Sequence, residues 1–164
     1  MLAGGLTFAT KRTARQNRSL VLRLRAPPRL TGAELRKTRV LLADDFPRLL
    51  ELVRSVLDRE VEIVGCVDNG ESLVEAAMKL RPDVIVTDIS MPRLSGLVAV
   101  DRLRESDCLS KIVFLTAHSD TDYVDAALKT GALAYVFKAS LVADLLFAIQ
   151  EVLMGRVFVS CARV

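Results

Sequence analysis

Residues 39–159 predict an α/β domain, a doubly wound parallel sheet of five strands with helices on both faces. Short apolar runs at 39–43, 61–67, 84–87, 111–115 and 134–137 alternate with stretches whose apolar residues recur at helical spacing. The run Val84-Ile85-Val86 is unbroken and β-branched, as expected of a strand buried on both faces. Five β/α units in succession are the signature of a parallel sheet covered by its own crossover helices.

The elements follow in order. The stretch 39–43 ends at Asp44-Asp45. Pro47 suits the first turn of a helix running to about Arg59, with Asp45 or Phe46 near its cap and Leu49, Leu50, Val53, Val56 and Leu57 on one face. A strand at 61–67 precedes Asn69-Gly70, a turn signal, and a helix over 71–79. Pro82 and Pro92 bracket the third strand and the loop after it. A short helix follows Gly96, then a strand ending at Thr116. The helix at 120–129 has Asp120 and Asp122 near its positive end and Gly131 placed to stop it. The fifth strand ends at Lys138. Ser140 is placed to cap the last helix, which stops near Gly155, and Val157-Phe158-Val159 reads as a short apolar tail.

Residues 1–38 read as a flexible basic extension. Residues 1–39 hold ten Lys/Arg against the single acid Glu34, whereas the rest of the chain is net acidic, so the overall +3 conceals an asymmetry. Such an arm could touch nucleic acid, anionic lipid or an acidic partner. Within it, 19–25 alternates like an edge strand, Pro27-Pro28 interrupts regular structure, and 31–34 could begin a helical turn. Cys66, Cys108 and Cys161 show no CxxC spacing, which argues against a structural zinc or a disulfide framework and suits a reducing cytoplasm. No apolar run has the roughly 20 residues a membrane span needs. The chain also lacks the GxGxxG and GxxxxGK[ST] loops of nucleotide binders.

Chemistry gathers at the strand ends. Asp44 and Asp45 end the first strand, Asp88 the third, Thr116 the fourth and Lys138 the fifth. In a parallel sheet these ends share one edge, where open α/β domains bind ligands. Three carboxylates brought together need a cation, and without Cys or His the donor set suits a hard ion, with Mg²⁺ the natural candidate. A lysine and a hydroxyl beside them would receive a phosphoryl group, with Asp88 as the nucleophile. Taken singly, Asp44-Asp45, Thr116 and Ser140 also read as local caps and Lys138 as a solvated charge. The successive placement carries the stronger reading.

The motifs Val-Leu-Leu-Ala-Asp-Asp (40–45), Asn-Gly-Glu (69–71), Arg-Pro-Asp-Val-Ile-Val-Thr-Asp-Ile-Ser-Met-Pro (81–92), Phe-Leu-Thr-Ala (114–117) and Gly-Ala-Leu-Ala-Tyr-Val-Phe-Lys-Ala (131–139) occur in this order. Residues 39–159 thereby resemble the receiver domain of bacterial two-component response regulators, of the NarL/FixJ kind. The resemblance implies a flavodoxin-like (βα)5 fold and a phosphorylatable switch rather than an enzyme. Asp88 would be the phosphoacceptor. Mg²⁺ would be held by Asp45, Asp88 and the Ser90 carbonyl, with Asp44 helping directly or through water. Thr116 would contact the phosphoryl group, Tyr135 would be the switch aromatic, Lys138 would pair with phosphoryl oxygens, and Pro92 and Gly96 would shape the loop after the acceptor. The implied partners are a sensor histidine kinase and a second copy in a homodimer, in the cytoplasm. The output would be the helix–strand–helix face near 120–150, and Phe147, Leu146 and Leu153 could serve contact or core. The alternative is a receiver-like dimerisation module that does not depend on phosphorylation. Ser95 departs from the Asp or Asn usual in this loop, and His118 reads as a loop residue. Residues 160–164 read as a tail with no effector domain, so nucleic-acid binding is not expected of this chain except through the basic arm or a missing effector.

Overall fold

A computed structural model describes residues 36–117 and 121–160, with the side chains at 121–123 and 128 outside the description. The basic extension up to residue 35, His118, Asp120, the side chain of Asp122 and Cys161 therefore lie outside the described residues.

The element order is β1 (Thr38–Ala43), α1 (Pro47–Leu57), β2 (Val61–Val67), α2 (Gly70–Leu80), β3 (Val84–Thr87), α3 (Gly96–Glu105), β4 (Lys111–Thr116), α4 (Thr121–Lys129), β5 (Ala134–Phe137), α5 (Leu141–Leu153) and β6 (Phe158–Val159). All pairings are parallel, in the order β2-β1-β3-β4-β5-β6. The α/β flavodoxin-like reading therefore stands, with one correction. The predicted five-stranded sheet has a sixth strand, because the apolar tail at 158–159 pairs with β5.

Strand side chains alternate between two cores, as pleating requires. Val40, Leu42, Val84, Val86, Val113, Leu115, Ala134 and Val136 face α1 and α5. Leu41, Ala43, Ile85, Ile112, Phe114, Tyr135 and Phe137 face α2, α3 and α4. The four inner strands, β1, β3, β4 and β5, bury both faces over most of their length, which is why their sequences read as continuous apolar runs rather than alternating ones.

Local signals mostly act as their chemistry predicts. Pro47 opens α1, and Gly131 and Gly155 take positive φ of 79° and 72° after α4 and α5. Asn69-Gly70 is a helix start rather than a free turn. Asn69 Oδ1 accepts the Ser72 N–H at 2.9 Å, and α2 begins at Gly70. Ser140 does not cap α5 with its side chain. A 3₁₀ turn at Lys138–Ser140 leads into the helix, and the Ser140 hydroxyl is buried with no hydrogen-bond partner among the described residues.

Candidate functional site

Strand order reverses direction at β1, which has β2 on one side and β3 on the other. At such a switch point the flanking loops diverge and leave a crevice beyond the strands' carboxyl ends. Asp44 and Asp88 stand on its two sides, one residue past β1 and β3. The sheet ladder continues into both: Asp44 N–H donates to the Val67 carbonyl at 3.1 Å and Asp88 N–H to the Ala43 carbonyl at 2.9 Å. The backbone thus holds these carboxylates on a rigid frame rather than on a mobile loop.

Carboxylate oxygens of Asp44, Asp45 and Asp88 all lie within 4.8 Å of one another. Lys138 bridges two of them, with Nζ 2.7 Å from Asp44 Oδ2 and 2.8 Å from Asp88 Oδ2. The side chains of Asp44 and Asp88 are 4% and 8% exposed and that of Lys138 18%, so water screens this pairing little. Asp88 Oδ1 accepts the Ile89 N–H at 2.6 Å, and Asp44 Oδ1 accepts the Phe46 N–H at 2.9 Å. Neither Asp44 nor Asp45 caps α1, whose N-cap is Phe46 with no side-chain cap bond; one Asp44 oxygen instead holds the Phe46 N–H in the turn before the helix while the other pairs with Lys138.

Burial pushes the Asp44 carboxyl above its ordinary value, against the pull of Lys138 and the Phe46 N–H, and the Asp88 charge adds to the rise. Lys138 is also held above its ordinary value. Burial alone would lower it, but its bonds and charge attraction to Asp44 and Asp88 outweigh that cost. The sign for stability follows. A carboxyl raised above its unfolded value of 3.8 contributes stability fully only below pH 3.8 and loses it as pH rises through the folded value. Asp44→Asn is therefore expected to raise the melting temperature at pH 7, with the gain shrinking to nothing as pH falls to 3.8, read by thermal melts of both proteins across that window.

The donor set fits a hard divalent cation. It consists of carboxylate oxygens only, and Asp44 Oδ2 is buried with no aligned hydrogen-bond donor among the described residues beyond the ion pair to Lys138. Asp44, Asp45 and Asp88 could coordinate such an ion together.

The remaining expected residues stand on β4, on β5 and in the loop after β3. Thr116 ends β4 and is fully buried, with Phe137 as its register partner on β5. Tyr135 is fully buried on the α2/α3/α4 side, edge-on to Phe137 at 5.5 Å. Ser90 and Pro92 are exposed in the loop after β3. Gly96 N–H donates to the Ile89 carbonyl at 2.8 Å, closing that loop back beside Asp88. A Cβ on Gly96 would collide with the Asp88 carbonyl, a backbone atom that cannot swing away. Gly96→Ala is expected to cost at least about 2 kcal/mol by overpacking, seen as a fall in denaturant midpoint.

Two contributors were not anticipated. Thr87, fully buried, donates its hydroxyl to the Asp88 carbonyl at 2.9 Å. Phe46, 64% exposed, lies 5.7 Å from the Lys138 ammonium, ring centroid to Nζ. A large aromatic directly after paired acids, exposed at a helix start, was the available sign. Ser95, noted only as a departure, is the N-cap of α3 and accepts the Val98 N–H at 3.4 Å.

Residues 40–150 match the response regulator receiver domain family. The chain is 38% identical over 120 residues to the uncharacterized transcriptional regulatory protein YvfU of Bacillus subtilis, covering 72% of this chain and 60% of that protein. It is 35% identical over 123 residues to the nitrate/nitrite response regulator protein NarL of Escherichia coli, covering 74% and 57%. The chain thus spans less than two thirds of these relatives' length. Among solved structures, the isolated receiver domain of RcsB from Salmonella enterica, determined with the phosphomimetic BeF3⁻, superposes with a TM-score of 0.70 at 26% identity, covering 76% of this chain and 94% of that one. No helix among the described residues is long and apolar enough to cross a membrane. By family match, identity and fold together, this chain belongs to the response regulator receiver domains, in their NarL/FixJ-like branch, and is a signalling receiver rather than an enzyme.

Proposed function

We propose that the chain is a phosphorylatable switch that takes a phosphoryl group from a sensor histidine kinase onto Asp88. The observation that carries this reading is the Lys138 ammonium bridging Asp44 and Asp88 at 2.7 and 2.8 Å beside a third carboxylate. Asp88 attacks phosphorus in line. The new bond is Asp88 oxygen to phosphorus, the broken bond is phosphorus to the donor imidazole nitrogen, and the electron pair leaves with the imidazole. Lys138 is already positioned to follow the charge from the carboxylate to the phosphoryl oxygens. Asp44, Asp45, Asp88 and the Ser90 carbonyl would hold Mg²⁺, which when bound neutralises charge on the transferring group. Thr116, at the neighbouring strand end, would offer its hydroxyl to the phosphoryl group. Tyr135, in the core diagonal to it, would couple that contact to the helix–strand–helix face. A cytoplasmic location and a role in transcriptional regulation belong to the same reading.

Treatment with a small phosphodonor and Mg²⁺ is expected to raise the intact mass by one phosphoryl group, with no increase when the metal is chelated. No adduct under saturating donor and Mg²⁺ would leave the second reading, a dimerisation module independent of phosphorylation. The exposed apolar Val142, Phe147 and Leu153 of α5 speak for that one. Sedimentation of the same samples reports assembly.

A further inference from the structure

The sixth strand lies along β5, the strand that leads into Lys138. After α5 the chain reverses at Gly155, where Arg156 N–H donates to the Glu151 carbonyl at 2.9 Å. The Arg156 guanidinium grips the buried Glu151 carboxylate at 2.6 and 2.7 Å. This pinned turn lays residues 158–160 along the outer edge of β5. Phe158 N–H donates to the Leu133 carbonyl at 2.8 Å and Ser160 N–H to the Tyr135 carbonyl at 2.9 Å. Ser160 Oγ accepts the Phe137 N–H at 3.3 Å. The side chains clip over both faces of the sheet. Phe158 is buried on the α1/α5 side, edge-on to Phe147 at 5.6 Å, and Val159 packs into the opposite cluster that contains Tyr135.

The two Ser160 bonds flank Val136 and end one residue before Lys138. They hold the backbone from which Tyr135 and Lys138 both project. We propose that Ser160 is a positioning residue for the phosphoacceptor site: the 158–160 strap fixes the end of β5 so that Lys138 stays over Asp88, and strap closure and anion binding at Asp88 reinforce each other. This rests on the phosphoacceptor reading above. The sign follows from preorganisation. Without the Ser160 hydroxyl, the buried Phe137 N–H loses its acceptor, the end of β5 relaxes, and part of the anion's binding energy goes into re-ordering Lys138. By linkage, an anion at Asp88 tightens the strap by the same factor that the strap tightens the anion.

The test uses the whole chain with beryllofluoride and Mg²⁺, in wild type, Ser160→Ala and Ser160→Thr. Affinity is expected to fall severalfold and up to about tenfold in Ser160→Ala, the worth of one net hydrogen bond, and to recover in Ser160→Thr. In wild type, amide exchange at 158 and 160 is expected to slow when the probe is bound. A purely structural serine would lower the melting temperature and leave affinity within about twofold, which overturns the proposal. Should Ser160→Ala fail to fold, the wild-type exchange decides: unchanged exchange at 160 with probe bound overturns it. Wild-type protein that binds no beryllofluoride at all removes the phosphoacceptor reading, and this one with it.

Discussion

Asp88→Asn is expected to take up no phosphoryl group above background while folding as wild type does. The amide keeps the volume and can still accept the Ile89 N–H, but it is no nucleophile toward phosphorus. Stability is expected to stay within about 1 kcal/mol, because Lys138 keeps Asp44 as a partner 2.7 Å away and the cluster loses one of its mutually repelling charges. Phosphoryl transfer from a labelled kinase, read beside a denaturation curve, checks both halves. Wild-type labelling of the variant would remove Asp88 from its assigned role.

Lys138→Met is expected to act in the opposite way, on the fold first. Two carboxylates less than a tenth exposed would lose their shared cation. Removing one partner from a buried pair leaves uncompensated charge, and for this partly accessible site the expected loss is on the order of 3 kcal/mol at pH 7 without metal. Saturating Mg²⁺ is expected to recover much of that loss, since the ion supplies the missing positive charge. Acid is expected to narrow the deficit too, because Lys138 pulls the Asp44 carboxyl down against the rise from burial, so without it that carboxyl is raised further and the variant regains more stability than wild type as pH falls toward 3.8. The wild-type pair loses the lysine's contribution only as pH rises beyond 10.5, since Lys138 is held above that value. Urea titrations with and without Mg²⁺ measure the difference, and equal stability of variant and wild type without metal would refute the bridging role.

Asp88 and Lys138 are residues whose placement was readable one strand at a time. Asp44, Asp45, Asp88, Thr116 and Lys138 each follow an apolar run, and parallel strands bring such positions to one edge. Their convergence could therefore be inferred before any distance was known. Phe46 and Thr87 were missed because their contacts are to Lys138 and to a backbone carbonyl, neither of which leaves a periodic mark. The caps were legible in part. Serine before a helix is a good cap, yet Ser140 enters α5 through a 3₁₀ turn that turns its hydroxyl into the interior.

Hydrophobic rhythm and the spacing of Pro, Gly and Asp were enough to establish the alternation of strands and helices, their approximate ends and the acidic edge. These depend on interactions within a few residues of one another, and the backbone's own periodicity reports them. The sixth strand, the 2.7 and 2.8 Å bridge from Lys138, and the strap behind it came from folding in three dimensions. A two-residue strand carries too short a pattern to recognise, and it exists because a pinned turn after α5 delivers Phe158 to the open edge of β5. A salt bridge likewise joins side chains tens of residues apart, whose distance is set by strand register and burial rather than by anything written locally in the chain.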